Sequence, residues 1–139
     1  MSELNYACLK VGDKIGSYTT ARISRTTLAL FAGASGDHNP IHIDIDFAKK
    51  HGMDDVFAHG MLSMAYLGRL LTNLVPQAAI RQYGVRFGSI TNLRDKITCS
   101  GEVVEKYEEA GDKLVKLSLT AANQDGDVKL SGQAVIVIN

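Results

Sequence analysis

A nearly continuous apolar segment, HGMLSMAYLGRLLTNLVP (residues 59–76), limits most strongly how this chain can fold. Its apolar residues occupy every side of a helical turn and leave almost no polar face. That pattern is typical of a helix buried on most sides. Pro76 ends the helix, because proline cannot continue it. A helix of this kind needs other elements of the chain to cover most of its circumference.

The covering elements are predicted in the residues after the helix. Four segments there are rich in β-branched residues or alternate apolar with polar residues: 80–90, 96–110, 113–124 and 128–139. Turns with the sequences EAGDK and QDGDV join the last three, and Asp-Gly is a strong hairpin signal. A long central helix wrapped by a curved antiparallel sheet is an α+β fold. The open edge of such a sheet favours pairing with a second chain.

Shorter elements are predicted ahead of the central helix. Residues 18–23 are β-prone, and Ser24 is a suitable N-cap for a helix over 25–34 that Gly36 would end. A second short helix is predicted over 44–52. No repeat, low-complexity tract or linker interrupts the chain, which is therefore interpreted as one domain, 1–139.

Charge and cysteine usage exclude several classes of function. Fifteen basic and fifteen acidic residues give a formal net charge of zero with no basic patch, so no nucleic-acid partner is expected. No apolar run is long enough to predict a membrane span. Cys8 and Cys99 lie far apart and indicate reduced thiols rather than a disulfide. The first residues lack a secretory signal, so a cytoplasmic location is expected.

The stretch SGDHNPIHID (residues 35–44) concentrates carboxylates and histidines beside apolar segments. A metal site is one explanation, since all four histidines of the chain fall between 38 and 59. Pro40 makes a continuous helix between His38 and His42 unlikely, and no HExxH pattern occurs. A calcium loop counted from Asp37 would need an oxygen ligand where Ile41 stands. We therefore predict no metal.

Two explanations of this stretch remain open on the residues alone. Asn-Pro favours a turn, so Asp37 could cap backbone groups and His42 could be a core histidine. Alternatively, Asp37 and His42 lie five residues apart around a turn stiffened by Pro40, and both tips could reach one water molecule. A carboxylate and an imidazole together can take a proton from water and deliver one elsewhere.

His59-Gly60 stands at the start of the predicted central helix. Glycine lets a ligand approach the backbone, and the free N–H groups of a helix N-terminus favour developing negative charge. These are the features of an oxyanion hole. The alternatives are that Gly60 serves close packing and that His59 is an ordinary helix cap.

The two stretches FAGASGDHNPIHID and FAHGMLSM together resemble the hydratase signature of the MaoC-like dehydratases. The pattern is an aromatic residue, Ala, Ser-Gly-Asp-x-Asn-Pro-Ile/Leu-His and, after a spacer, His-Gly-Met. The matching residues are Phe31, Ala32, Ser35, Gly36, Asp37, Asn39, Pro40, Ile41, His42, His59, Gly60 and Met61. YGVRF (83–87) resembles the strand that follows the central helix in this family, and the resemblance spans nearly the whole chain.

The resemblance implies a single hot-dog fold and specific roles for five residues. Asp37 and His42 are expected to bind and activate the water, and the Gly60 N–H to hold the thioester carbonyl. Asn39 is expected to support the catalytic loop. Ser63 is expected to orient Asp37 or to line the acyl pocket.

The implied activity is hydro-lyase chemistry in fatty-acid metabolism: hydration of trans-2-enoyl thioesters to (3R)-hydroxyacyl thioesters, or the reverse. The substrate would be an acyl-CoA or an acyl-ACP, and no metal or redox cofactor is expected. A homodimer or a hot-dog heterodimer is expected. The alternatives are a hot-dog thioesterase and a subunit of a heterodimeric dehydratase. Arg81, Arg86 and Arg94 are candidates to meet CoA phosphates or an acidic carrier protein.

Overall fold

The computed structural model describes residues 4–138, which contain three α-helices and five β-strands. The helices are α1 (Arg25–Ser35), α2 (Ile45–Lys50) and α3 (Gly60–Leu74). The strands are β1 (Lys14–Thr19), β2 (Ile80–Phe87), β3 (Thr98–Glu109), β4 (Asp112–Ala122) and β5 (Val128–Val137). Every helix and strand predicted from the sequence is present, with ends displaced by a few residues.

Capping residues define both short helices before α3. The Ser24 hydroxyl accepts a hydrogen bond from the Thr27 N–H at 3.1 Å, so Ser24 is the N-cap of α1 as predicted. Gly36 ends α1 in the left-handed region at φ 76°, which costs glycine little. Asp44 caps α2 in the same manner as Ser24 caps α1. The polar stretch 35–44 is thus a connection between two capped helices.

The helix α3 is buried on one side only, which corrects the prediction that it is covered nearly all round. Leu67, Leu70 and Leu71 are almost inaccessible to solvent and pack into the main core. On the opposite side Met61 is 55% exposed, and Ala65 one turn further on is also exposed. The apolar composition of the helix therefore serves a core on one face and an open apolar surface on the other.

The five strands form one antiparallel sheet in the order β1-β3-β4-β5-β2. The β3–β4 and β4–β5 connections are the two hairpins predicted from their Gly-containing turns. Each strand pair carries a register shift, and such irregularities bend a strand and increase its twist. The sheet packs against α3 through apolar side chains such as Val103, Leu117 and Ile136. The predicted α+β arrangement of helix and sheet is confirmed.

The edge strands of this sheet are β1 and β2, each paired along one side only. The strand β2 runs antiparallel to β5 and carries Tyr83 and Phe87 next to α3. Among the described residues, no helix combines the length and the apolar character needed to cross a membrane. Strand β2 and the open face of α3 lie on the side of the molecule where the predicted site residues collect.

Candidate active site

Asp37 follows directly on the glycine that ends α1 and lies in a tight polar turn. Its backbone N–H donates to the Ser35 hydroxyl, and its carboxylate Oδ1 accepts from the Asn39 N–H, both at 3.2 Å. The side chain is exposed and lines a cavity. The carboxylate is thus held by one backbone donor and keeps its remaining lone pairs available.

Asn39 shapes the next turn of the same loop. Its Oδ1 accepts a hydrogen bond from the Ile41 N–H at 3.1 Å and caps a short 3₁₀ turn, Pro40–His42. Proline at the first position of that turn has its backbone torsion already set. Asn39 therefore bonds within the loop, in keeping with its predicted support of the loop. The turn directs His42 inward.

His42 is 9% exposed and is fixed by a backbone carbonyl. Its Nδ1 lies 2.7 Å from the Phe57 oxygen, and because a carbonyl can only accept, Nδ1 carries the hydrogen. The Phe57 ring also meets the imidazole edge-on, with ring centroids 5.1 Å apart. In this tautomer Nε2 has a free lone pair. The ring therefore has one anchored nitrogen and one nitrogen available for chemistry.

His59 joins these two residues. It is 1% exposed, its Nε2 donates to the Asp37 carbonyl at 3.1 Å, and its ring stacks on His42 with centroids 3.9 Å apart. Phe31 contacts the same ring edge-on at 5.0 Å. Among the described residues, the His59 Nδ1 is buried without a hydrogen-bond partner. His59 occupies the N-cap position of α3, yet its side chain does not cap the helix.

The sequence singled out His59 only with the glycine beside it and left an ordinary helix cap as its alternative. That alternative is wrong, because the imidazole bonds to the polar loop instead. A signal was available in the residue type. Ser, Thr, Asp and Asn are the common N-caps, and a histidine before a long apolar helix is not the expected choice.

The side chains of Asp37, His42 and His59 form what we call the Asp–His cluster. One potential ligand atom from each lies within 4.8 Å of the others, a proximity that could suggest a metal site. The two imidazoles are stacked and only 28° from parallel, however, so their in-plane lone pairs lie in separate, nearly parallel planes. Zinc requires ligand nitrogens that point at the ion from about 2.0 Å. The geometry therefore favours proton chemistry over ligation.

Gly60 is the first residue of α3 and lies beside the cluster. The first N–H groups of a helix have no acceptor within it, and His59 gives them no side-chain cap. A β-carbon built on Gly60 would lie 3.0 Å from the Phe87 ring. Glycine thus leaves room for the aromatic ring at the helix end, where the backbone donors are open.

An apolar cavity of about 480 Å³ adjoins the cluster. Its lining residues come from α1, the polar loop, α3 and β2: Phe31, Ser35, Asp37, Met61, Met64, Ala65, Gly68 and Tyr83. The Tyr83 hydroxyl donates to the Met64 carbonyl at 2.6 Å, and burial raises the pKa of that hydroxyl. Tyr83 therefore lines the cavity as an uncharged side chain, and Asp37 is the carboxylate that lines it at the solvent-exposed side.

Ser63 is buried one turn inside α3 and is not part of the cavity lining. Its hydroxyl lies 3.3 Å from the Thr91 hydroxyl. The Thr91 carbonyl in turn accepts from the Ala58 N–H at 2.8 Å, next to the residue that anchors His42. The position of Ser63 thus ties α3 to the segment behind His42. Its predicted contact with Asp37 or with substrate stays a prediction.

The pattern described as "MaoC like domain" matches residues 9–124, which is most of the chain. The protein belongs to the MaoC-like domain family. A mitochondrial 3-hydroxyacyl-[acyl-carrier-protein] dehydratase from Arabidopsis thaliana is 28% identical over 131 residues, covering 94% of this chain and 78% of that protein. An (R)-specific enoyl-CoA hydratase from Aeromonas caviae is 28% identical over 130 residues, covering 92% and 94%.

The solved structures agree with this membership. The unliganded R-hydratase PhaJ1 from Pseudomonas aeruginosa superposes with a TM-score of 0.82 at 32% identity, covering 96% of this chain and 83% of the other. The predicted hot-dog fold of the MaoC-like chain is confirmed. The resemblance seen in the two signature stretches is confirmed as well.

The arginines predicted as candidates to meet phosphates lie apart from the Asp–His cluster. Arg81 pairs with Asp112 at 3.1 Å at the far end of β2. Arg86 and Arg94 are exposed, and Arg94 lines a second depression of about 710 Å³. In that depression Arg25 forms a bidentate pair with Asp55. The contacts of these three arginines among the described residues do not indicate a phosphate site, and their predicted role stays a prediction.

A second cluster of polar side chains bonds to the backbone on either side of Thr91. We call it the Asp95–Lys129 network. The Asp95 carboxylate accepts from the Asn92 N–H and from the side-chain amides of Asn123 and Gln124. The Lys129 ammonium lies 3.8 Å from Asp95 and donates to a backbone carbonyl and to the Asp127 carboxylate. The network holds the loop that carries Thr91.

Proposed function

We propose that this protein catalyses the reversible hydration of trans-2-enoyl thioesters to (3R)-hydroxyacyl thioesters, as a hydro-lyase of fatty-acid metabolism. The observation that carries the proposal is the proximity of His42 to Asp37, a carboxylate that lines an apolar cavity, beside the open N-terminus of α3. The names of the relatives support it, since one is an (R)-specific enoyl-CoA hydratase and another a 3-hydroxyacyl-[acyl-carrier-protein] dehydratase.

In the proposed reaction, the Gly60 N–H holds the thioester carbonyl oxygen. Charge that develops on this oxygen as water adds is stabilised by the backbone donor and the helix dipole. This polarisation makes the β-carbon electrophilic. Gly60 therefore activates the substrate, whereas the polar loop activates the water.

Water is proposed to sit between the Asp37 carboxylate and the His42 Nε2. One of the two groups removes a proton as the water oxygen bonds to the β-carbon, and the enolate forms at the carbonyl. The Asp37–His42 pair, which now holds the proton taken from the water, then delivers a proton to the α-carbon; this completes the addition and restores the pair. The dehydration direction reverses these steps, breaking the β-carbon–oxygen bond. Because nothing is oxidised or reduced, the proposed reaction needs no redox cofactor.

The acyl chain is proposed to occupy the cavity lined by α3 and β2. Met61, Met64 and Ala65 offer apolar contacts, and methionine side chains adapt to ligands of varied shape. The proposal covers acyl groups carried by CoA and by an acyl carrier protein, because both carriers present the same thioester. Asn39 contributes by holding the loop, and Ser63 by tying α3 to the segment behind His42.

We also propose that a second hot-dog chain covers this side of the molecule, in a homodimer or a heterodimer. Three apolar side chains are about half exposed: Met61 on α3, Phe87 on β2 and Ile90 just after β2. Exposed apolar side chains of this size are typical of interaction surfaces. Strand β2 offers an unpaired edge beside them. Light scattering of the purified chain would report a mass twice that of the 15.0 kDa monomer if the homodimer forms.

The test is a hydration assay with crotonyl-CoA, followed by loss of the enoyl absorbance and by chiral analysis of the product. Asp37→Asn and His42→Ala are expected to lose at least about a hundredfold in turnover. Asp46→Asn is the matched control, since this carboxylate is exposed in the first turn of α2, away from the cavity. Near wild-type turnover in both site variants would contradict the assignment. Release of free CoA thiol without loss of the enoyl group would indicate a thioesterase instead.

A further inference from the structure

We infer that His59 is a positioning residue that holds the His42 ring and the Asp37 turn in register for one water molecule. The inference rests on the proposed function, in which Asp37 and His42 share that water. His59 contacts both groups. It also precedes Gly60, whose N–H is the proposed hydrogen-bond donor to the thioester carbonyl. Asn39, inside the loop, also bonds to both residues, since its N–H donates to the Asp37 carboxylate and its carbonyl accepts from the His42 N–H. His59 contacts both from a separate part of the chain, at the start of α3.

The contact with Asp37 restrains an otherwise exposed turn. Among the residues that the structure describes, the Asp37 carboxylate is held by the Asn39 N–H alone, and the turn lies on the surface. The His59 Nε2–H bond to the Asp37 carbonyl links positions 22 residues apart and ties this turn to the buried start of α3. Proton transfer requires that the reacting atoms lie within hydrogen-bond distance. The hydrogen bond from His59 therefore determines where the Asp37 carboxylate can act.

The contact with His42 restrains the tilt of its ring. The Phe57 carbonyl fixes one nitrogen, but a single hydrogen bond leaves the ring able to swing about it. The His59 ring covers one face at 3.9 Å, while the Phe57 ring meets the imidazole edge-on. With these contacts in place, the His42 Nε2 is directed by two independent restraints.

The hydrogen bonding of His59 points to this role rather than to packing alone. Its Nε2 is a donor to Asp37, so Nδ1 carries a lone pair, and that lone pair is buried without a partner among the described residues. A buried unpaired polar atom destabilises the fold, and an apolar side chain would avoid that penalty. The Nε2 bond is the property that an apolar side chain cannot supply.

Two variants separate the two contacts. His59→Phe keeps a ring on His42 but removes the donor to Asp37, and His59→Gln keeps a donor but removes the ring. Each is expected to lower kcat in crotonyl-CoA hydration by about 10- to 100-fold, the range typical of residues that orient reacting groups. KM should stay within about threefold, because neither variant alters the cavity lining.

A spectroscopic readout tests the inference without substrate. The ¹⁵N chemical shifts of the His42 ring report its tautomer. They should show the Nδ1–H form in the wild type and in His59→Phe, and a mixture of tautomers in His59→Gln. His51→Ala is the matched control, since His51 also stacks on a ring and bonds a carbonyl, at Phe47, but is exposed and away from the site.

The outcomes distinguish failure of the inference from failure of the proposed function. Wild-type kcat in both His59 variants, with unchanged His42 shifts, would overturn the positioning role while hydration by the wild type stands. So would an equal loss of kcat in His51→Ala. A wild-type protein without hydration activity would overturn the proposed function, and the His42 shifts would still decide the part played by His59. Thermal unfolding checks that each variant is folded.

Discussion

The protein contains two polar groupings near the Thr91 loop, one largely buried and one partly exposed through Asp37, and their hydrogen bonding differs. In the Asp95–Lys129 network both carboxylate oxygens and the ammonium have partners. In the Asp–His cluster, one buried imidazole nitrogen has no hydrogen-bond partner among residues 4–138, and the Asp37 carboxylate accepts from one donor among them. Completed hydrogen bonding is typical of polar groups that stabilise a fold. Bonding capacity left open beside a cavity is what a reacting group needs.

Asp37→Asn should give the largest effect and should separate activity from stability. The amide keeps the size of the side chain and can still accept from Asn39, so thermal stability should change little. It cannot take a proton from water, so turnover should fall about a thousandfold, close to 4 kcal/mol in activation free energy. Enoyl-CoA hydration and thermal unfolding measured on one sample would check this. A large loss of stability would contradict the view that Asp37 serves the reaction rather than the fold.

Lys129→Met should show the opposite pattern. Lys129 is 2% exposed, and its removal leaves the buried Asp95 carboxylate without its ion-pair partner. Breaking a buried pair costs about 3–5 kcal/mol, so the free energy of unfolding should fall by about 3 kcal/mol in urea titration. The kcat per folded molecule should fall less than about tenfold. Lys116→Met, at a half-buried position of β4, is the control for removal of a lysine. An equal loss of stability in the two variants would show that the pairing of Lys129 contributes nothing.

Gly60→Ala tests the helix start that lies next to the cluster. The added methyl group would lie 3.0 Å from the half-exposed Phe87 ring, which can rotate away. Stability should therefore change by no more than about 1 kcal/mol. Turnover should fall about tenfold because the methyl group and the displaced ring crowd the approach to the open N–H. Gly33→Ala, in α1 with nothing within 4 Å of the added carbon, should leave turnover unchanged.

Asp127→Asn should have the smallest effect of these variants. We expect it to lower thermal stability, and only at pH values above the acidic range. The hydrogen bond from Lys129 holds the pKa of Asp127 below its ordinary value of 3.8. A lowered pKa in the folded state stabilises the protein above the pKa of the unfolded chain and is lost as the pH falls through the folded value. Wild type and variant should thus differ by a few degrees in Tm at pH 7 and converge as the pH falls through the lowered pKa that Asp127 has in the folded protein. A difference independent of pH would mean that the charge of Asp127 is not the cause.

Patterns within short stretches of sequence were enough to predict most of this fold and, in the candidate site, the pair Asp37 and His42. Ser24 and Gly36 delimit α1 because caps act over a few residues, and the Gly-containing turns fix the hairpins for the same reason. Asp37 and His42 were singled out because both lie on one short loop. The proximity of their side chains is a geometric fact that the five-residue spacing permits but does not require.

Features that depend on distant parts of the chain were not predictable. The stacking of His59 on His42 brings together residues from two separate elements, and no local pattern specifies it. The exposure of Met61 and Ala65 was missed for a related reason. Hydrophobicity does not distinguish a side chain that faces the core from one that lines a cavity, since both are apolar.

The strand order also determines when the cavity wall can form during synthesis. Strand β2, which carries Tyr83, is made directly after α3 but pairs only with β5, after the β3–β4 hairpin has emerged. Until then the apolar side of α3 and the free strand are exposed together, as in intermediates that aggregate or recruit chaperones. Pairings so distant in sequence are slow to form. A ribosome that pauses between β4 and β5 would hold the chain in its most vulnerable state.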